Sequence, residues 1–230
     1  MIKYLDLNDF ATSNKNLINS IYHFSVDEYN DPNNINFGKL RVLNDELIKP
    51  TGGFDLHLHR NLEILSYVVQ GELTYKDSLH NNVVINEGYL QHISAGKGIY
   101  HSEFNMGNID LRLIQIWILP NMRNLDPSYN FIDTKKIIKI NQLNKLVSIE
   151  SAPIIINQDV NIYILKLEEN NEINFDVNED RQTYLLQVEG KSNINGFNLK
   201  ARDALKSFAN NLNIKALYAS HLLIIEMKKG

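Results

Sequence analysis

The sequence contains no cysteine. Disulfides, thiolate nucleophiles and sulfur ligation are thereby excluded, so any metal must be held by nitrogen and oxygen. Glycine and proline are scarce, at 11 and 5 of 230 residues, and fall between short runs rich in Ile, Val, Leu and Tyr. That punctuation is the pattern of an all-β chain. No apolar run is long enough to cross a bilayer. The start, MIKYLDLNDFATSNKN, lacks the basic–apolar–small order of a secretory signal, and the expectation is a cytoplasmic protein with no membrane contact. No basic stripe is present either: 23 basic residues stand against 27 acidic ones, which argues against direct binding of nucleic acid. What is there is 43% apolar residues, enough to build the core of one large or two small domains.

Five runs read as strands: Lys39–Asn44, Ile64–Gln70, Glu72–Asp77, Asn82–Ile85 and Leu111–Leu119. The last, LRLIQIWIL, is apolar on both faces and belongs between two sheets or inside a barrel. KDSLHNNV is a hairpin turn, with Asp77, Ser78 and Asn81 supplying the turn chemistry. The second half repeats the arrangement. SYVVQGELTY (66–75) and TYLLQVEGKS (183–192) share an apolar strand, a Gln, a glycine near a turn and a second strand. INEGYLQHI has a weaker echo in LKARDALKSF. Two tandem β-barrels are expected, one over residues 1–125 and one over 126–230, with a polar linker near Asn121–Phe131. The stretch Asp133–Glu150 admits a short helix or further strands.

Of seven histidines, two stand one residue apart in GFDLHLHRNLEIL. Side chains at i and i+2 of a strand share a face, so His57 and His59 project side by side. Alone, the pair fits equally well on a solvent face, with Leu58 turned into the core. A second dyad, His101 and Glu103 in GIYHSEFN, alters the balance. Two such dyads on adjacent barrel strands would present three imidazoles and one carboxylate to a point, a donor set for a divalent first-row metal. His80 is expected exposed in its turn, His92 structural or exposed, and His23 and His221 structural. Glu63 competes with Glu103 for the fourth position. Three residues separate it from His59, the spacing at which the general cupin pattern places a glutamate ligand, and spacing alone does not separate the two.

DPNNINFGKLRVLND, GGFDLHLHRNLEILSYVVQGELTYKDS, ISAGKGIYHSEFN and QIWILP together closely resemble the pirin family of the cupin superfamily. The resemblance is strongest from about Phe24 to Pro120 and implies an all-β bicupin in which only the N-terminal barrel keeps its metal. It also implies the ligand set His57, His59, His101 and Glu103. Glu63 then becomes a structural group or one that orients a ligand. Leu58 stands where pirins usually have proline, and His80 where glycine is common, which strains the turn slightly. In the second half no histidine falls near Asn174–Asp180 and nothing resembles HSE, so a second metal site is not expected.

For bacterial members the resemblance implies a quercetin 2,3-dioxygenase activity, opening the heterocyclic ring of a flavonol with O2 and loss of carbon monoxide. Glu103 would be the base that removes the substrate hydroxyl proton. Iron is the metal implied first, with copper, nickel, manganese, cobalt and zinc compatible with the donors. The alternative is a metal-binding regulator acting through protein partners. The resemblance also implies a monomer.

Overall fold

The computed structural model describes residues 1–26 and 28–229. Among them are twenty-two strands and two short 3-10 turns, Leu7–Asp9 and Thr134–Lys136. The chain opens with β1 (Ile2–Leu5), β2 (Ala11–Lys15) and β3 (Ile18–Tyr22). Then come β4 (Leu40–Ile48), β5 (Gly53–His59), β6 (Glu63–Gln70) and β7 (Glu72–Asp77). They are followed by β8 (Asn82–Asn86), β9 (Tyr89–Ser94), β10 (Ile99–Phe104) and β11 (Leu111–Ile118). After β12 (Ser128–Asp133), β13 (Leu143–Ser148) and β14 (Ile154–Ile155), a second run begins with β15 (Val160–Leu167) and β16 (Glu172–Phe175). It continues through β17 (Arg181–Glu189), β18 (Lys191–Ile194), β19 (Phe197–Lys200), β20 (Ala204–Phe208), β21 (Leu212–Ala216) and β22 (Ser220–Lys228). No helix among the described residues is long and apolar enough to cross a membrane.

Two compact units result. The N-terminal barrel comprises residues 10–135 and 156–158; the C-terminal barrel comprises 1–9, 136–155 and 159–230. Each has a seven-stranded and a four-stranded sheet. In the N-terminal barrel the orders are β12-β9-β6-β11-β4-β3-β2 and β5-β10-β7-β8. In the C-terminal barrel they are β1-β20-β17-β22-β15-β13-β14 and β16-β21-β18-β19. Adding eleven to each label from β4 to β11 converts one frame into the other, which is the repeat read from SYVVQGELTY and TYLLQVEGKS. Glycines recur at equivalent corners. A Cβ on Gly71 (φ +81) would lie 2.8 Å from the Asp110 carbonyl oxygen, just before β11. A Cβ on Gly190 (φ +77) would lie 2.0 Å from that of Ala219, just before β22. Only glycine fits a left-handed conformation with backbone that close.

The units do not follow a single cut at residue 125. β1 pairs with β20 and so belongs to the C-terminal barrel. Residues 128–131, expected as the end of a linker, belong to β12, which pairs with β9. In each barrel a strand from outside the eight-strand run thus covers an exposed edge, relieving its unpaired backbone groups. Asp133–Glu150 resolves into a 3-10 turn and strand β13. The turn after β7 is built as expected. Asp77 Oδ1 accepts from the backbone of Leu79 and Asn81, and His80 is held at φ 69, a region that costs a side-chain-bearing residue.

The interiors differ. In the C-terminal barrel one aliphatic cluster runs from Leu165 and Phe175 through Leu185, Leu199, Leu205, Leu212 and Ile214 to Ile224. The N-terminal barrel has two smaller clusters, one around Leu73, Ile85 and Leu111, the other around Ile64, Tyr75, Ile93 and Ile99.

Candidate metal centre

Buried polar side chains also line the interior of the N-terminal barrel. Strands β5 and β10 pair with His57 opposite His101 and Ile99 opposite His59. Glu103 pairs with Phe54, so β5 carries one extra residue between the two pairings, a β-bulge at Asp55–Leu56. A bulge turns a side chain across the sheet. Here it puts Phe54 on the wall of the same cavity as His57 and His59.

The three imidazoles come together. Their candidate ligand nitrogens all lie within 4.8 Å of one another, and the ring centroids are 4.4 to 5.1 Å apart. His57 Nδ1 lies 2.7 Å from the Asp55 carbonyl within the bulge. A carbonyl only accepts, so Nδ1 carries the proton and Nε2 keeps its lone pair. That Nε2 lies 3.0 Å from His59 Nε2. Such a separation is the bite of two nitrogens each ~2.1 Å from one ion at roughly a right angle. Buried His101 Nδ1 makes no hydrogen bond within the protein. Burial holds the His59 pKa down to about 4, with His57 adding to the effect; burial and the neighbouring His57 and His59 hold His101 down to about 3. Both rings are therefore neutral at physiological pH, the form that ligates a metal. The orphaned nitrogen, the short Nε2 pair and the neutral rings all fit a divalent cation.

Glu103 lies outside that tight cluster and lines the same cavity of about 420 Å³ with His57, His59, Gln115 and Trp117. Its Oε1 accepts from Ser66 Oγ at 3.3 Å and Gln91 Nε2 at 3.0 Å; its Oε2 accepts from Gln115 Nε2 at 2.7 Å. Gln91 is held in turn by the Tyr129 hydroxyl at 3.1 Å. Burial raises the Glu103 pKa, against the lowering influence of His57 and the three donors.

Glu63 is elsewhere. Ile64 and Val68 sit in the interior clusters and Ser66 reaches Glu103, so alternation along β6 turns Glu63 to the opposite face. There it bonds to His92 Nε2 at 2.6 Å, Ser94 Oγ at 2.9 Å and Asn157 Nδ2 at 2.9 Å, and to none of the three clustered imidazoles. Glu63 and His92 are a buried structural pair that ties residues 156–158 into this barrel. His80 is exposed, His23 stacks on Phe10 at 3.9 Å, and His221 approaches Glu189. Asn44, Glu46, Phe54, Gln115 and Trp117 line the cavity as well, and the sequence reading did not single them out.

Two cupin-type barrels, one carrying a cluster of three imidazoles beside a buried carboxylate, define a two-domain cupin. Residues 7–118 match the pirin family and residues 147–227 match a quercetinase C-terminal cupin domain. A putative quercetin 2,3-dioxygenase of Pseudomonas aeruginosa is 32% identical over 99% of this chain and 100% of its own length. The quercetin 2,3-dioxygenase of Escherichia coli is 31% identical over 89% of each chain. Among solved structures, the bacterial pirin YhhW of E. coli in complex with nickel(II) superposes with a TM-score of 0.94, at 29% identity and full coverage of both chains. The chain belongs to the pirin family.

Proposed function

We propose that the chain is a metal-dependent dioxygenase that opens the heterocyclic ring of flavonols such as quercetin with O2. The observation that carries this reading is the cluster of His57, His59 and His101, two of which line a cavity together with Glu103. The quercetinase names of relatives that match nearly the whole chain support it. A regulator acting through protein partners needs no cavity at its metal, so the cavity favours the enzyme.

His57, His59, His101 and Glu103 would hold one divalent metal, iron in the first instance, which would supply Lewis acidity toward the flavonol 3-hydroxyl. The chain's own groups do the rest. Glu103 Oε2 accepts one hydrogen bond, from Gln115, and a carboxylate oxygen can accept two. That one open position would serve the metal or the hydroxyl proton, one at a time. Ser66 and Gln91 anchor Oε1 and fix the carboxylate's direction. Burial strengthens it as a base. Phe54 and Trp117 give the cavity aromatic walls suited to a flat ring system. The N-terminal barrel would carry this chemistry and the C-terminal barrel no metal.

Metal-loaded protein should consume quercetin, followed at its long-wavelength absorbance, in the presence of O2 and not without it. Fully loaded protein that leaves quercetin intact in air would contradict the proposal.

A further inference from the structure

A second cavity, of about 490 Å³, adjoins the metal cavity and has no use in the chemistry above. Its place follows from the two sheets of the N-terminal barrel. The four-stranded sheet ends at β5, which closes the metal cavity over β4 and β11. The seven-stranded sheet runs on past β4 to β3 and β2. Tyr22 and Ser20 of β3 line the second cavity, and their partners across the strands, Asn44 and Glu46, line the metal cavity. Ala11 and Ser13 of β2 continue the same rows, opposite Tyr22 and Ser20. Cross-strand partners share a face, so the two cavities have one continuous floor. Phe54, the β5 partner of Glu103, is a wall of both.

We infer that the second cavity is a subsite for a glycosyl substituent of the flavonol, carried away from the reacting 3-hydroxyl, and that Phe54 divides the two subsites. This rests on the reading that the metal cavity takes a flavonol. The lining groups are open to a ligand: Asn16 is exposed, and Ser13, Tyr22 and Tyr29 are half-buried. The rings of Tyr22 and Tyr29, 12° from parallel with centroids 6.4 Å apart, supply aromatic surface for the C–H faces of a sugar. The Ser13 hydroxyl and the Asn16 amide each donate and accept, as sugar hydroxyls do. Lys15 and Glu28 pair with each other at this cavity, so their charges cancel and do not select an anion. A purely apolar substituent would take water from these polar groups without replacing its hydrogen bonds.

Trp117 is the sole tryptophan of the chain and lines the metal cavity, so its fluorescence reports binding without turnover. Nickel-loaded protein would be titrated anaerobically with quercetin and with its 7-O- and 4′-O-glucosides, which keep the 3-hydroxyl and carry the sugar at opposite ends of the molecule. At least one glucoside should bind as tightly as quercetin or more tightly. Ser13→Tyr puts a ring into the second cavity from an edge strand, where tyrosine is a favoured residue. It should weaken that glucoside about tenfold relative to quercetin. Weaker binding of both glucosides than of quercetin in the unaltered protein, which needs no variant to fold, would overturn the subsite and leave the dioxygenase reading standing. An unmoved ratio in Ser13→Tyr would do the same. Failure of quercetin itself to bind the unaltered protein would overturn both.

Discussion

The two barrels share a strand order and differ in how their interior polar groups are balanced. Strand pairing matches the positions. Opposite Ser66 on β6 stand Gln115 and Gln91; opposite Thr183 on β17 stand Glu226 and Ser207. Asn44 pairs with Gln115 as Asn161 pairs with Glu226. In the C-terminal barrel Glu226 meets a resident cation: Arg181 Nε approaches it at 2.8 Å, Arg181 Nη1 donates to Asp159 at 2.9 Å, and Asn161 donates to Glu226 at 2.8 Å. Strand β21, the counterpart of ligand strand β10, contributes Leu212, Ile214 and Ala216 to the apolar cluster. In the N-terminal barrel Ile64 occupies the place of Arg181, and the Glu103 carboxyl lines a cavity with His57 and His59 and, among the described residues, no resident arginine or lysine. One frame carries its cation covalently, in an arginine; the other has donors arranged to take one from solution. A nearby cation favours the ionised form of a buried carboxyl in either case.

The comparison can be broken most forcefully at the two carboxylates. Glu103→Ala should lower turnover of quercetin by about 10²- to 10⁴-fold, the range for loss of a general base, while part of the metal is retained. Steady-state kinetics beside metal analysis checks both halves. Arg181→Leu should destabilise the chain by about 3–5 kcal/mol in denaturant unfolding, because it strands the buried Glu226 without its cation. Adding Glu226→Gln should recover much of that loss, and neither change should alter metal binding. The smallest effect lies at the matched hydroxyls. Thr183 Oγ1 is buried with no hydrogen bond, whereas Ser66 donates to Glu103. Thr183→Val should therefore be neutral or stabilising by up to about 1 kcal/mol, and Ser66→Val should cost about 1–3 kcal/mol. Thermal melts should place Thr183→Val at or above the unaltered protein and Ser66→Val below it.

Much of this was legible from alternation. The dyads His57/His59 and His101/Glu103 share a face by the two-residue period, and β5 and β10 pair to bring the imidazoles together. The repeat in SYVVQGELTY and TYLLQVEGKS located β6 and β17. Alternation did not carry across the Arg60–Leu62 connection, so spacing left Glu63 and Glu103 unseparated, whereas the fold turns Glu63 to the far face. Asn44, Gln115 and Trp117 were hidden because LRVLN and LRLIQIWIL read as apolar runs, in which a single inward polar residue carries no periodic signal. The pairing of β1 with β20 spans about two hundred residues and leaves no local trace.

Metal stoichiometry tests the central claim most directly. Elemental analysis of the protein loaded with a divalent metal and then desalted should give one ion per chain, falling to near zero in His101→Ala and in His57→Ala. The ion should also raise the melting temperature of the unaltered protein and not that of the variants. Two ions per chain, or full retention after loss of either histidine, would contradict the assignment of a single metal to the N-terminal barrel.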